Sequence, residues 1–220
     1  PTPYFLYPLS DNPVNTTAAD ISGNKRTGSY TGTPTHSGSD ACTRDKDGTT
    51  TFNGTSTALA APTAQSSPQT LSLEIWFKTS VAGGYLIGLN SAKTGLGSTY
   101  DRHLYLNSTG QVVFGIYSGG TRVVTSTASY NDGAWHHAVG TFDSTTGLTL
   151  YLDGQSVGTP ITTAYTAETS TGYWRIGYAN LSGWPGSATP YYFNGQLGYA
   201  AVYLSVLPAA TVTNHYDAGI

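Results

Sequence analysis

The sequence predicts an all-β sandwich of two antiparallel sheets with a short C-terminal helix, and three observations predict it. Strand-like segments separated by turn signals run almost from end to end, at the spacing of a sandwich. Seventeen Tyr and 27 Gly, with no Met, suit short strands, tight turns and aromatic faces. Helical periodicity is confined to one segment near the C terminus. The chain has 220 residues, 38% of them hydrophobic, enough for one sizeable core. No composition break divides it, so residues 1–220 read as one domain.

The elements follow in order. Leu71, Leu73, Ile75 and Phe77 alternate with Ser72, Glu74 and Trp76, which predicts a strand with one apolar face. Tyr85 to Leu89 is a short apolar strand after the Gly83-Gly84 turn. His103 to Leu106 and Val112 to Tyr117 flank a hairpin loop ending in Gly110. Thr121 to Ser126 follows Gly119-Gly120. Asn131-Asp-Gly133 turns the chain into Trp135 to Phe142, and Asp153-Gly154 closes a hairpin after Leu148 to Leu152. Trp174 to Tyr178 and Gln196 to Tyr203 supply late strands, Tyr178 sharing a face with Trp174 and Ile176. Pro208 to Tyr216 starts on a proline and spaces Val212 and Tyr216 as a helix does. The stretch from Thr27 to Ser39 reads as a long surface loop.

Composition excludes several functions. Net charge is −3, only 10% of residues are charged, and no Lys/Arg run exists. Nucleic-acid binding, which rests on many phosphate contacts, is therefore not expected, nor is an anionic membrane surface as partner. No apolar run approaches the ~20 residues of a membrane span. Cys42 is the only cysteine, so no internal disulfide forms, which points to a bacterial exported module over an animal secreted one. Sequons at Asn15, Asn53, Asn107 and Asn180 carry little weight in so Ser/Thr-rich a chain. The opening at Pro1, without an initiator Met or signal sequence, reads as a processed or trimmed piece of something longer.

A family resemblance rests on motifs in a fixed order: Asp20-Ile-Ser-Gly-Asn24 and Gly28, Phe52-Asn-Gly54, Leu73-Glu-Ile-Trp-Phe-Lys-Thr79, Asn131-Asp-Gly-Ala-Trp-His-His137. Leu150-Tyr-Leu-Asp-Gly154, Phe193-Asn-Gly-Gln-Leu197 and Val202-Tyr-Leu-Ser-Val-Leu207 complete it. In that order the chain resembles the laminin-G-like, concanavalin A-like lectin jelly-roll modules of exported bacterial proteins, over nearly its whole length. Tyr100 to Tyr105, Gly172 to Tyr178 and Asn180 to Pro185 resemble a subset attached to actinobacterial secreted hydrolases and surface proteins. The resemblance implies two antiparallel sheets, commonly a structural calcium, and a sugar- or protein-binding role outside the cell.

Catalysis is not expected. Glucanases of this general fold alternate acids as E-x-D-x-(x)-E on one strand, giving the roughly 5 Å carboxyl separation of retaining hydrolysis. Here Trp76 and Lys78 stand where the later acids would be, and Glu168 is the only other Glu. His136 and His137 are adjacent, face opposite sides of a strand, and cannot share a metal. No G-x-S-x-G elbow is present, and Cys42 reads as a free thiol.

Asp20 and Asn24 on a glycine turn offer oxygens of the kind calcium takes; the same residues also suit an Asx turn that satisfies its own backbone. Asp45-Lys-Asp-Gly48 reads as a hairpin turn. The sharpest candidate is a sugar site, where aromatic rings stack on C–H faces and a few polar groups read hydroxyls. Trp184, in Ser-Gly-Trp-Pro-Gly, and Tyr191 and Tyr192 supply rings. Tyr100, Asp101, Arg102 and His103 end a glycine-rich loop and supply polar groups if the two loops meet. The alternative is that Trp184 plugs the sandwich and Asp101 pairs with Arg102. A non-catalytic carbohydrate-binding module is the leading reading, then an adhesion or pilus module binding a cell-surface protein, then a glycoside hydrolase.

Overall fold

The computed structural model describes residues 1–11, 16–36 and 48–220; Asn15, Cys42 and the 45–47 part of the Asp45–Gly48 turn lie outside them. The early strands are short: β1 (Phe5–Tyr7), β2 (Thr17–Ala18), β3 (Gly28–Thr31), β4 (Thr35–His36), β5 (Thr50–Asn53), β6 (Ala58–Ala60) and β7 (Gln65–Ser66). The long ones follow: β8 (Thr70–Lys78), β9 (Gly84–Asn90), β10 (Tyr100–Leu106), β11 (Gln111–Tyr117) and β12 (Thr121–Ser129). Then come β13 (Trp135–Asp143), β14 (Gly147–Leu152), β15 (Gln155–Ile161), β16 (Thr171–Ile176), β17 (Asn194–Tyr203) and the helix α1 (Ala209–Gly219).

They form two sheets. The first runs β15-β14-β13-β8-β17-β5-β4, with β1 also pairing β17. The second runs β12-β11-β10-β9-β16-β6-β3-β2, with β7 also pairing β16. Every pairing between them is antiparallel. The core lies between the sheets. Leu71, Leu73, Ile75 and Phe77 of β8 face Leu104, Phe114, Trp174 and Ile176 of the second sheet in one buried cluster, as their period-2 spacing requires. Truncating a core aromatic such as Phe114 to Ala costs about 3–5 kcal/mol at sites of this kind.

The Asp153-Gly154 hairpin has positive φ at both residues (51° and 76°), the two-residue turn whose twist matches the strands. His136 clamps that hairpin to the preceding turn. Its ring nitrogens lie 2.8 Å from Asp153 Oδ2 and 3.1 Å from Asp132 Oδ1. Burial alone would lower its pKa, but the two carboxylates outweigh burial and raise it.

Three expectations need correction. The stretch from Thr27 is not all loop: β3 and β4 lie within it and pair with β6 and β5. The β16 strand ends at Ile176, because Gly177 takes a φ of 78° and re-aims the chain. Tyr178 therefore leaves the core and stacks on Tyr192, ring centroids 3.6 Å apart. The segment at Tyr100 is not a loop end but the start of β10, which carries a bulge at Arg102.

Both outer faces are covered. On the first sheet, Val139, Ala201 and Tyr203 pack under Leu207 and Val212 of the helical segment. On the second, Tyr85, Tyr105 and Val113 lie under Ala179, Leu181 and Trp184.

Candidate binding site

Two loops meet on the second sheet. The loop at 91–99 folds on its own first residues: Ser91 Oγ accepts from the Ser98 and Thr99 N–H groups at 3.1 Å each, and Asn90 Oδ1 from Ala92 N–H at 3.0 Å. The loop at 180–184 turns on Asn180, whose Oδ1 accepts from Ser182 N–H at 3.0 Å. Two bonds tie them: Asn180 Nδ2 donates to Gly97 O and the Tyr100 hydroxyl to Ser182 O, both at 3.0 Å. The two loops therefore converge.

Trp184 lies at the junction. Its ring sits over Gly115 of β11, where an added Cβ would come within 2.4 Å of the indole. Its edge meets the His103 ring with centroids 4.7 Å apart at 76°. Only 5% of it is exposed. What remains exposed borders a cavity of about 430 Å³, whose other walls include Tyr100, Asp101, Tyr117, Thr121 and Glu168. Ser, Thr and Gly residues of the loops complete the lining.

Asp101 is nearly buried. Its Oδ1 accepts the N–H of Arg102 at 2.5 Å and of Tyr117 at 2.7 Å, and its Oδ2 pairs with Arg102 Nη1. Burial pushes its carboxyl up to about 6, against the pull of Arg102 and the two N–H groups. Arg102 takes a φ of 57°, uncommon for a non-glycine, and its side chain is fully buried. Besides the ion pair, Nε donates to Pro68 O at 3.0 Å and Nη2 to Glu168 O at 3.3 Å. His103 is fully buried, 3.1 Å from the Tyr85 hydroxyl, and burial depresses its pKa to about 3. The ion pair of the alternative reading thus forms. Arg102 and His103 hold the cavity wall from behind, and only Tyr100, Asp101 and Trp184 of the expected residues line the cavity.

Tyr191 and Tyr192 do not line it. Tyr191 packs beside Tyr85 and Tyr105, and Tyr192 forms the stacked pair with Tyr178, near which Arg175 lies 5.7 Å from the ring centroid. The sequence reading missed Tyr117, Thr121 and the 168–170 segment. Tyr117 and Thr121 flank a Gly-Gly turn and Glu168 is one of two glutamates, but only the topology puts them beside Trp184.

Asp20 and Asn24 form a closed turn. Asp20 Oδ1 accepts from Leu6 N–H at 3.1 Å and Ser22 N–H at 2.9 Å, and Oδ2 from Arg26 N–H at 2.8 Å. Asn24 Nδ2 donates to Pro3 O and Tyr4 O at 3.0 and 3.3 Å. N–H groups, not carbonyls, converge on the carboxylate; burial would raise its pKa, but the Ser22 hydroxyl and these N–H groups outweigh burial and lower it. Among the described residues no group of three His, Cys, Asp or Glu is placed to hold a metal. The donor set does not fit calcium.

A second polar cluster lies under the helix. Glu74 Oε1 is 2.7 Å from His137 Nε2 and 2.8 Å from His215 Nδ1, and Oε2 accepts from the Tyr203 hydroxyl at 2.9 Å. Burial would raise its pKa, yet the imidazoles outweigh burial and hold it down to about 2. Glu74, Trp76 and Tyr203 border a shallow cavity of about 370 Å³ with no second acid in its lining among the described residues. His137 thus faces outward while His136 faces the core side, as adjacent strand residues must.

A two-sheet jelly-roll whose loops gather rings and hydroxyls around a cavity defines the lectin-like class of β-sandwich. The chain belongs to the laminin G-type family described as the concanavalin A-like lectin/glucanases superfamily, whose model matches residues 53–213. Domain 4 of the extracellular arabinanase AbnA from Geobacillus stearothermophilus, solved with arabinotriose, is similar at TM-score 0.61 and 16% identity, over 97% of both chains. The receptor-binding domain of botulinum neurotoxin type G is similar at TM-score 0.66 and 9% identity, over 99% of this chain and 51% of the other. A pentraxin of Limulus polyphemus is similar at TM-score 0.56 and 16% identity, over 74% and 78%. The chain spans about half the length of the toxin domains it matches. At these identities the likeness is one of fold. No curated protein matches the chain in sequence.

Proposed function

We propose that this chain, as one module over residues 1–220, is a non-catalytic carbohydrate-binding domain of a secreted or cell-surface bacterial protein of actinobacterial type. The observation that supports this most is the convergence of the 91–99 and 180–184 loops around Trp184 and Tyr100, beside a cavity of about 430 Å³. That size lies within the range of small-ligand sites, and its walls mix rings with hydroxyls and carboxylates as sugar recognition requires. The arabinotriose-bound neighbour, matched over nearly its whole length, supports an oligosaccharide as ligand. Among the described residues no helix is long and apolar enough to cross a membrane.

The acids argue for binding over turnover. Glu74 has two imidazoles and a phenol as partners, and Asp101 is held by two N–H groups and a guanidinium. Neither is free to pass a proton to a glycosidic oxygen, which leaves Glu168 as the single unpartnered acid of the cavity wall among the described residues, where glycoside hydrolysis takes two. Titration calorimetry with arabino-, xylo- and cello-oligosaccharides tests the reading. Ser182→Leu, at an exposed lining position, fills the cavity and abolishes binding while the melting temperature stays within about 2 °C. If no glycan binds the folded protein, the reading fails.

The second reading is a protein-binding adhesion module. Leu96 is 58% exposed at the tip of the 91–99 loop, and one toxin neighbour was solved with rat synaptotagmin II. Loss of cell-surface adhesion in Leu96→Asp with glycan affinity unchanged is the outcome that favours it.

A further inference from the structure

We infer, resting on the carbohydrate reading above, that the cavity selects electroneutral sugars, taking vicinal hydroxyls on the Glu168 carboxylate and turning away glycans that carry uronic or sialic acids. The geometry supports this from the lining outward. Asp101 and Glu168 are the acids of the cavity wall, Tyr100 and Tyr117 its phenols, and among the described residues no Lys, Arg or His lines it.

Neither of the arginines nearby is among the lining residues. Arg102 is fully buried, and its guanidinium is divided between Asp101, Pro68 O and Glu168 O. Arg122, next to the lining residue Thr121, has its guanidinium 5.8 Å from the Tyr165 ring centroid. A sugar carboxylate entering this space meets the unpaired Glu168 carboxylate and no cation among the lining residues, since Arg102 is already paired with Asp101. Like charges in a site partly shielded from water repel more strongly than in bulk.

The two acids play different parts. Both oxygens of Asp101 accept from protein donors and its charge is met by Arg102, so it is a fixed part of the wall and leaves the ligand to Glu168. Glu168 is anchored by its main chain: its N–H donates to Tyr117 O at 2.9 Å, and its carbonyl accepts from Ser67 Oγ at 3.2 Å. Its side chain is exposed and makes no salt bridge among the described residues. A carboxylate with two oxygens and no proton is an acceptor only. Two adjacent sugar hydroxyls donating to it make the short, charge-assisted kind of hydrogen bond. A neutral sugar supplies those donors, stacks on what Trp184 and Tyr100 expose, and leaves no charge unpaired.

The test compares arabino-oligosaccharides and cello-oligosaccharides with oligogalacturonides of equal length, by calorimetry at low and at high salt. The neutral chains bind, and the best of them binds at least about tenfold tighter than any oligogalacturonide at low salt. High salt narrows the gap because the exclusion is electrostatic. Glu168→Gln, which leaves the main-chain anchors in place, cuts the gap to about threefold or less. Tight oligogalacturonide binding that Ser182→Leu abolishes overturns the charge selection and leaves the binding reading standing. A gap unchanged in Glu168→Gln overturns the role given to Glu168. Absence of binding by neutral and acidic chains alike overturns the carbohydrate reading, and this inference with it.

Discussion

The outer faces of the two sheets solve the same problem in opposite ways. Each face buries ionisable groups under a cover, the helix over the first sheet and the 178–193 segment over the second. Under the helix, one carboxylate meets three donors, and the cluster is nearly self-contained: Glu74 takes His137, His215 and Tyr203. At the cavity the matching is incomplete. Asp101 is matched by Arg102 and main-chain N–H groups, while Glu168 is left facing solvent. A matched cluster fastens an element; an unmatched rim is available to a ligand. The difference teaches where stability and where recognition reside on one sandwich.

The largest expected effect breaks the fastening. Glu74→Ala strands the buried His137 imidazole and the Tyr203 hydroxyl and frees the part-exposed His215, and removing one partner of a buried pair costs about 3–5 kcal/mol. The melting temperature falls by about 10 °C, measured by scanning calorimetry. Glycan affinity of the folded fraction stays unchanged, since Glu74 lies on the other sheet. A drop below about 2 °C contradicts the account of this cluster.

The next effect uses acid. His103 is fully buried with its pKa depressed to about 3 from 6.5. A group whose charged form is disfavoured in the fold supports stability fully above its unfolded pKa. That support disappears as pH falls from about 6.5 towards 3, and it amounts to several kcal/mol. Glu74 adds a second loss only lower, as pH falls from 4.5 towards about 2. Asp101, with its carboxyl raised to about 6, works in the opposite direction over the same window, so the measured quantity is the difference between the two profiles. Relative to the parent chain, His103→Gln loses less melting temperature between pH 6 and 4, while the decline below pH 4 persists. If the two profiles run parallel through pH 6 to 4, His103 is not the sensor of that range.

Much of this contrast was legible in the sequence, and the gaps have physical causes. The β8 alternation, the Asp153-Gly154 hairpin and the terminal helix are local patterns, and each lies where its pattern puts it. Trp184 was legible as a ring in a glycine-rich loop. Its burial depends on Gly115, which lies far off in the chain and offers the indole a surface without a Cβ. Arg102 defeated the reading for another reason. A left-handed residue that is not glycine leaves no mark in the sequence, yet it creates the bulge that turns Asp101, Arg102 and His103 inward. Glu168 and Tyr117 needed the sheet order before they became neighbours of either loop. Glu74 was legible as lacking the companion acids of a glucanase strand, but not as the anchor of the helix, because His215 comes from the far end of the chain.

A smaller effect sharpens the comparison on the cavity side. Gly115→Ala places a Cβ against the Trp184 ring and lifts the indole from its seat. Overpacking of this kind costs about 1–3 kcal/mol, less than the loss of Glu74. Because the ring borders the cavity, glycan affinity falls with it, by about tenfold. Tryptophan fluorescence also shifts, reporting the ring's new surroundings. Stability lost with affinity intact would show that Trp184 closes the sandwich without contributing to recognition.

The smallest effect concerns calcium. At Asp20 three N–H groups already converge on the carboxylate, and the neighbouring Arg26 guanidinium lies 3.8 Å from the Tyr4 ring centroid. A calcium ion there would have to displace those donors and sit beside a positive charge, whereas it prefers six to eight oxygens. Chelator treatment followed by added calcium is thus expected to shift the melting temperature by less than about 1 °C, since a ligand stabilises only the form it binds. Asp20→Ala instead costs about 1–3 kcal/mol, with or without calcium, because it strands the N–H groups of Leu6, Ser22 and Arg26. A calcium-dependent gain of several degrees that Asp20→Ala removes would reverse this assignment and make the N-terminal turn a metal site after all.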